Sequence, residues 1–227
     1  MRRFFSCLLL SALCASASAQ LNFGINSGVN MSRLELGADA PKVGYAGHFF
    51  VEYFGSKKIG VSLGAGYSQR GSAFIQNCGI EPDFTTGYTI PNAESVRTHN
   101  LHIPVTAMYR FDLKNNMSLI PHIGAYFSYV FGGQIYHYYG NRRCKFDIPF
   151  YDVDQTEEVN GLIASPEEFY KKDLGLTFGL SMQMNKRIRV GIDYDLGLSA
   201  ATEGMSLRSA QVGRNRNVFV SLGYLFK

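Results

Sequence analysis

Six charged residues, Glu52, Arg70, Arg110, Arg189, Asp193 and Asp195, stand on the polar positions of runs that otherwise alternate apolar and polar residues. Brought together, these carboxylates and guanidiniums would form charge-assisted hydrogen bonds and plug whatever space they share. Held apart in water, they would line a narrow path for solutes. His48, His102 and His122 share that polar parity. Three imidazoles could bind zinc, or serve as hydrogen-bonded polar fillers, which is the expectation here. His99 has the opposite parity. With a serine or carboxylate beside it, it could act on lipid, but its predicted neighbours Gln69, Gly71, Tyr129 and Phe131 supply neither. The glycine-rich GVSLGAGYSQRG alternates like a strand and is no phosphate loop. No enzyme, cofactor or metal is expected.

The elements that would position these residues are strands. In RTHNLHIPVTAMYRF, residues 97–111, Leu101, Ile103, Val105, Ala107, Tyr109 and Phe111 alternate with Asn100, His102, Pro104, Thr106, Met108 and Arg110. One face is oily and the other polar. The pattern recurs in LNFGINSGVN from Leu21, from Gly44 to Tyr53, from Val61 to Ser68 and from Leu119 to Phe131. It returns from Leu174 to Met184, from Ile188 to Ser199 and from Val218 to Phe226. That makes about eight strands.

The connections alternate in length. Gly55-Ser56-Lys57-Lys58, Asp112-Leu113-Lys114-Asn115 and Asn185-Lys186-Arg187 read as tight polar turns. The other links, near 32–42, 72–96, 133–171 and 200–215, are long. Short turns at one end and long loops at the other is the plan of a transmembrane β-barrel, with both termini on the short-turn, periplasmic side. Ten residues tilted by about 45° match the height of its apolar band. The oily face therefore looks out to lipid and the charged face looks in. Outward rings form two bands, Phe23, Tyr53, Tyr109, Phe111, Tyr224 and Phe226 below, and Tyr45, Tyr67, Phe127, Tyr129 and Phe131 above. Amphipathic rings favour the headgroup level. The expected fold is all-β, an eight-stranded antiparallel up-and-down transmembrane barrel spanning residues 20–227. Its interior is just wide enough for side chains to fill it.

The first nineteen residues, MRRFFSCLLLSALCASASA, read as a signal peptide cleaved near Ala19-Gln20. Arg2 and Arg3 precede a short apolar core, and Ala17-Ser18-Ala19 ends it. Leu13 before Cys14 argues against lipoprotein processing. Without Arg2 and Arg3, 20 basic residues face 18 acidic ones, about +2, which is no footprint for nucleic acid. No stretch after residue 19 is long and apolar enough for a transmembrane helix.

Long loops are the expected working surface. Cys78 and Cys144 fall in the second and third of them, on one side of the barrel, and an inter-loop disulfide is expected. The third loop holds YHYYGNRRCKF, then the acidic DVDQTEEVN. Tyr136, Tyr138 and Tyr139 interleaved with Arg142 and Arg143 suit a glycan, a lipopolysaccharide phosphate or a protein. The bland alternative is a solvated loop whose basic and acidic halves pair. Ser165-Pro166-Glu167-Glu168 reads as a short helix start.

Taken together, the ASA-Q signal ending, LNFGINSGVN, HNLHIPVTAMYRF, RVGIDYDLGLS and the closing VFVSLGYLFK resemble the porin-like outer-membrane β-barrel domain family of Gram-negative bacteria, which includes PorT-like proteins. The closing strand resembles the segment read by the outer-membrane assembly machinery, except that Lys227 follows Phe226. The resemblance implies location and fold and carries no catalytic motif. The expected role is a plugged outer-membrane scaffold, in contact with outer-membrane lipid, that binds through its loops or serves an envelope or secretion assembly. A narrow porin is the first alternative and a lipid-modifying enzyme the second.

Overall fold

A computed structural model describes residues 20–34, 39–55, 58–75, 93–139, 142–147, 157–159, 162–164, 171–199, 202–206 and 209–226. Eight long strands form the wall: β1 (Gln20–Leu34), β2 (Asp39–Phe54), β3 (Ile59–Ile75), β4 (Ala93–Tyr109), β5 (Met117–Tyr139), β6 (Lys172–Met184), β7 (Ile188–Gly197) and β8 (Asn215–Phe226). Each pairs antiparallel with the next. β8 pairs with β1, so the sheet closes and no wall strand is left as an edge.

The stagger follows from the register. Stepping between paired residues once round the wall leads from Phe23 through Val51, Leu63, Val105, Ala125, Leu176, Leu196 and Arg216 to Arg33. The path returns to β1 ten residues above its start, since 33 less 23 is 10. With eight strands, that shear implies a tilt of about 40° and a backbone radius of about 8 Å. Such a barrel has room for side chains inside and for little else.

Alternation sorts the faces as expected. Phe49 is 73% exposed and Leu222 62%, whereas Glu52, three residues along β2 from Phe49 and so on the opposite face, is fully buried. Val29, Val61, Val105, Ile123, Leu174, Ile192 and Val220 all point outward and are exposed. No described helix is long and apolar enough to cross a membrane; the crossing is made by strands. The tight turns are built from left-handed residues. Asn115 and Asn116 have φ of 62° and 56°, and Asn185 and Lys186 have 49° and 60°. Paired positive φ matches the strand twist in a hairpin, and asparagine tolerates it better than most residues.

Two expectations change. The bilayer height predicts strands of about ten residues, but β5 has 23 and β3 and β4 have 17 each. Antiparallel pairing continues past the bilayer, because ladder hydrogen bonds remain available there, and turns parts of the presumed loops into sheet. The third loop in particular begins as a hairpin, with Arg142–Asp147 paired onto the end of β5. Short hairpins also join Glu157–Val159 to Leu162–Ala164 and Thr202–Ser206 to Ser209–Gly213. The signal segment 1–19, Cys78 and the helix start at Ser165 lie outside the described residues.

Candidate functional site: the barrel interior and the outer wall

Inward residues are stacked in tiers. Nearest the short turns is an apolar floor of Phe54, Met108 and Ile120. Arg110 lies against it, its guanidinium carbon 3.9 Å from the Phe54 ring centre. Above the floor, Arg189 reaches from β7 across the lumen to Glu52 on β2. Its Nη1 donates to Oε1 and its Nη2 to Oε2 at 3.0 Å, a two-pronged pair. The same Nη2 donates to Gln183 Oε1 at 3.2 Å, and the guanidinium lies 5.2 Å from the Phe50 ring centre. A fork matched to a carboxylate holds both groups in one geometry, and each satisfies the other's charge away from water.

His122 on β5 and Asp193 on β7 come next, Nε2 to Oδ1 at 2.5 Å. They touch although β6 runs between them. The reason is Gly179, cross-strand partner of both: a Cβ there would lie 2.5 Å from the Asp193 oxygen and 2.6 Å from the His122 nitrogen. Gly66 does the same on β3 for His48 and His102, whose ring centres lie 5.2 Å apart in an edge-on arrangement. His48 Nδ1 lies 3.2 Å from Asn26 Oδ1 and donates to it. His102 Nδ1 lies 3.1 Å from Arg70 Nη2 and accepts from it. That contact leaves the His102 proton on Nε2, which is therefore no metal ligand. Among the described residues no group of three or more His, Cys, Asp or Glu side chains is placed to hold a metal ion.

The next polar tier centres on Arg70, 3% exposed. It donates to Asp195 Oδ2 at 2.7 Å and to Asp173 Oδ2 at 3.3 Å, over the Tyr126 ring. One arginine faces two carboxylates, and neutral donors make up the difference. Tyr126 Oη, Asn215 and Ser199 donate to Asp173, and Asn217 donates to Asp195. Leu34, Val96, Val130 and Ile135, inward by register and buried, lie beyond this tier. Between the Glu52 and Arg70 tiers is a cavity of about 100 Å³ lined by His48, His102, His122, Asp193 and Thr177, with room for several waters.

All six residues singled out by parity thus face the lumen, but they do not form one network. Arg110 does not join Glu52; it stacks on Phe54, and Arg189 takes the carboxylate. Parity could not show this, because it names a face and not a height. Asp173 was missed. It continues the inward series Gly175, Thr177 and Gly179 one step beyond the recognised start of β6, and that continuation was the available signal. Tyr126, inward by parity, also belongs to the Arg70 tier.

Of the loop residues, Tyr136 is cross-strand partner of Lys145, Tyr138 of Arg143 and Tyr139 of Arg142, so a hairpin brings them together instead of a loop. Cys144 pairs across the ladder with His137; Cys78, its expected disulfide partner, lies outside the described residues.

On the outer wall, rings collect at the level where the strands leave the apolar band. Tyr45 and Tyr67 lie 5.5 Å apart, Tyr67 and Phe131 6.2 Å, and Tyr67 Oη lies 2.5 Å from His99 Nδ1. At the other rim Tyr109 meets Phe111 at 4.6 Å and Tyr224 meets Phe226 at 5.7 Å. Two aromatic bands with aliphatic residues between them fit a bilayer.

A closed wall with an oily exterior, two ringed rims and an ion-paired interior defines an integral outer-membrane β-barrel. The outer membrane protein β-barrel domain model matches residues 15–203, and the chain belongs to that family. No curated protein matches. Solved structures of similar fold include Ail, the attachment invasion locus protein of Yersinia pestis, at 12% identity and a TM-score of 0.42, covering 91% of this chain and 99% of that one. Neisserial surface protein A follows at 11% and 0.44, covering 92% and 99%. OprG of Pseudomonas aeruginosa stands at 10% and 0.44, covering 90% and 95%. The chain is an outer-membrane protein of bacteria by family.

Proposed function

We propose that this protein is a closed barrel that works from its external face, as a binding scaffold or a component of an envelope assembly, and not as a solute pore. The observation that carries this is the pair of ion-paired tiers across the lumen, Glu52 with Arg189 and Arg70 with Asp195 and Asp173. In a barrel of about 8 Å backbone radius, side chains that bridge the lumen at two levels stand in the way of a continuous path. The external extension of β3, β4 and β5 supplies a working surface, and the hairpin that gathers Tyr136 with Lys145 offers rings and cations to a glycan or protein ligand. The PorT-like resemblance fits a barrel serving an assembly. An enzymatic role gains nothing from the wall, since lipid-facing His99 bonds to Tyr67 and not to a serine or carboxylate.

Planar-bilayer conductance of refolded protein tests the reading, with heat-shifted gel mobility as the folding control. Folded protein should give no channel steps, and cross-linking from the hairpin would then identify what it touches. Reproducible small steps that change in Glu52→Gln would overturn the proposal in favour of a narrow porin.

A further inference from the structure

The outer wall just above the upper aromatic band carries a recess that the closed-barrel reading does not use. On β4 the outward ladder runs Ser95, Arg97, His99, and on β5 its cross-strand partners are Tyr136, Gln134 and Gly132. On β3 the partner of Arg97 is Gly71. Two glycines therefore flank the ladder. A Cβ on Gly132 would meet nothing within 4 Å, so the wall beside His99 is open. A β-bulge makes this notch: His99 pairs with Gly132 and Asn100 with Val130, and Phe131 is the extra residue.

At Gly71 the absent side chain leaves the wall clear for a neighbour. Lys42, from β2, lays its stem over that glycine, its Cδ 3.1 Å from where a Cβ would be. From there its ammonium reaches β4 to donate to Ser95 Oγ and lies 5.8 Å from the Tyr136 ring centre. The crossing brings a second cation within one strand of Arg97. Below them Tyr67 and Phe131 form the floor. The Tyr67 Oη–His99 Nδ1 bond takes up Nδ1 and leaves Nε2 as the other ring nitrogen; with the hydroxyl donating, Nε2 carries the proton and is a donor. The described outward positions of β3 and β4 here, Gln69, Gly71, Ser95, Arg97 and His99, include no acid. The nearest described outward carboxylate, Asp147, is one strand further round, opposite Gln134.

Height decides what such a site meets. Arg97 is one outward step above His99, about 5 Å along the barrel axis at a tilt of 40°. That places it in the headgroup layer directly above the ring band. We propose that this recess binds the phosphate of an outer-leaflet glycolipid of the lipid A type. Arg97 and Lys42 supply the charge and His99 a hydrogen bond, while the acyl chains lie against Tyr67 and Phe131. Arginine suits a phosphate because its planar fork offers parallel donors, and proximity to lipid leaves the pair less hydrated than in solution.

The test is native mass spectrometry of the full protein in detergent. Its probes are bis-phosphorylated lipid A, the same lipid with its phosphates removed, and inorganic phosphate. The phosphorylated lipid should be retained at least about tenfold more than the dephosphorylated one, and Arg97→Ala and Arg97→Gln should each lower its retention about tenfold. Arg33→Ala removes another outward cation, on β1, three strands round the wall from Arg97, and should change nothing. Heat-shifted mobility confirms that each variant is folded. The site is overturned if removing the phosphates makes no difference, if neither Arg97 variant loses lipid, or if Arg33→Ala loses as much, which would mean diffuse attraction at the rim. Retention of inorganic phosphate as strong as that of the lipid would overturn the lipid as ligand.

Discussion

Single residues carry the interior, and their substitutions should separate a pair from its parts. Removing one member of a buried ion pair strands the other, which costs about 3–5 kcal/mol, whereas replacing both by apolar groups of similar size is often close to neutral. Glu52→Gln should therefore lower the urea resistance of the refolded barrel by about that amount. Glu52→Leu combined with Arg189→Met should recover most of it. Equal losses in the single and double variants would show that the pair is not a unit. Arg110→Ala should cost far less, since Arg110 stacks on Phe54 and does not hold the Glu52 carboxylate. At the turn, Lys186 stands at a φ of 60° with a Cβ that disfavours it. Lys186→Gly relieves that contact and should stabilise by about 0.5–1 kcal/mol, read as a higher urea midpoint.

Strands impose a different kind of constraint, because each inward residue must share the lumen with residues two strands away. Gly179 on β6 exists as a gap through which His122 and Asp193 meet. Gly179→Ala should separate them and destabilise the barrel, and His122→Ala placed on top should cost little more; additive losses would sink the idea that the glycine serves this contact. Outward positions answer to lipid instead. Val105 on β4 is 53% exposed and stands between the lower rings and His99. Val105→Arg should cost about 2–4 kcal/mol in a bilayer, as expected for a charge near the midplane.

The whole molecule is a wall that outlasts the membrane on one side. Its closure uses every long strand, but the end of β5 and the hairpin partner Arg142–Asp147 pair only with each other and with β4. Replacing residues 137–144 by Asn-Gly would join Tyr136 to Lys145, which already face one another across the ladder, through a two-residue turn. The barrel should keep its heat-shifted mobility while losing any ligand of the hairpin. Loss of folding would instead make this extension part of the barrel's stability.

The sequence by itself determined the period, the faces and the strand count. Alternation is a property of neighbouring residues, so Leu101 and Val105 could be assigned to lipid and His102 and Thr106 to the interior without knowing what stood beside them. It also exposed the signal-like start and the short and long connections. Partners were decided only by closure. Glu52 and Arg189 lie 137 residues apart in the chain and meet because three intervening strand pairings and a ten-residue stagger bring them to one height. Asp173 entered the interior, Arg110 stacked on a ring while Arg189 took the carboxylate, and a bulge at Phe131 opened the wall beside His99, all through register. A period of two says which way a side chain points; how far up the barrel it stands is set by every strand together.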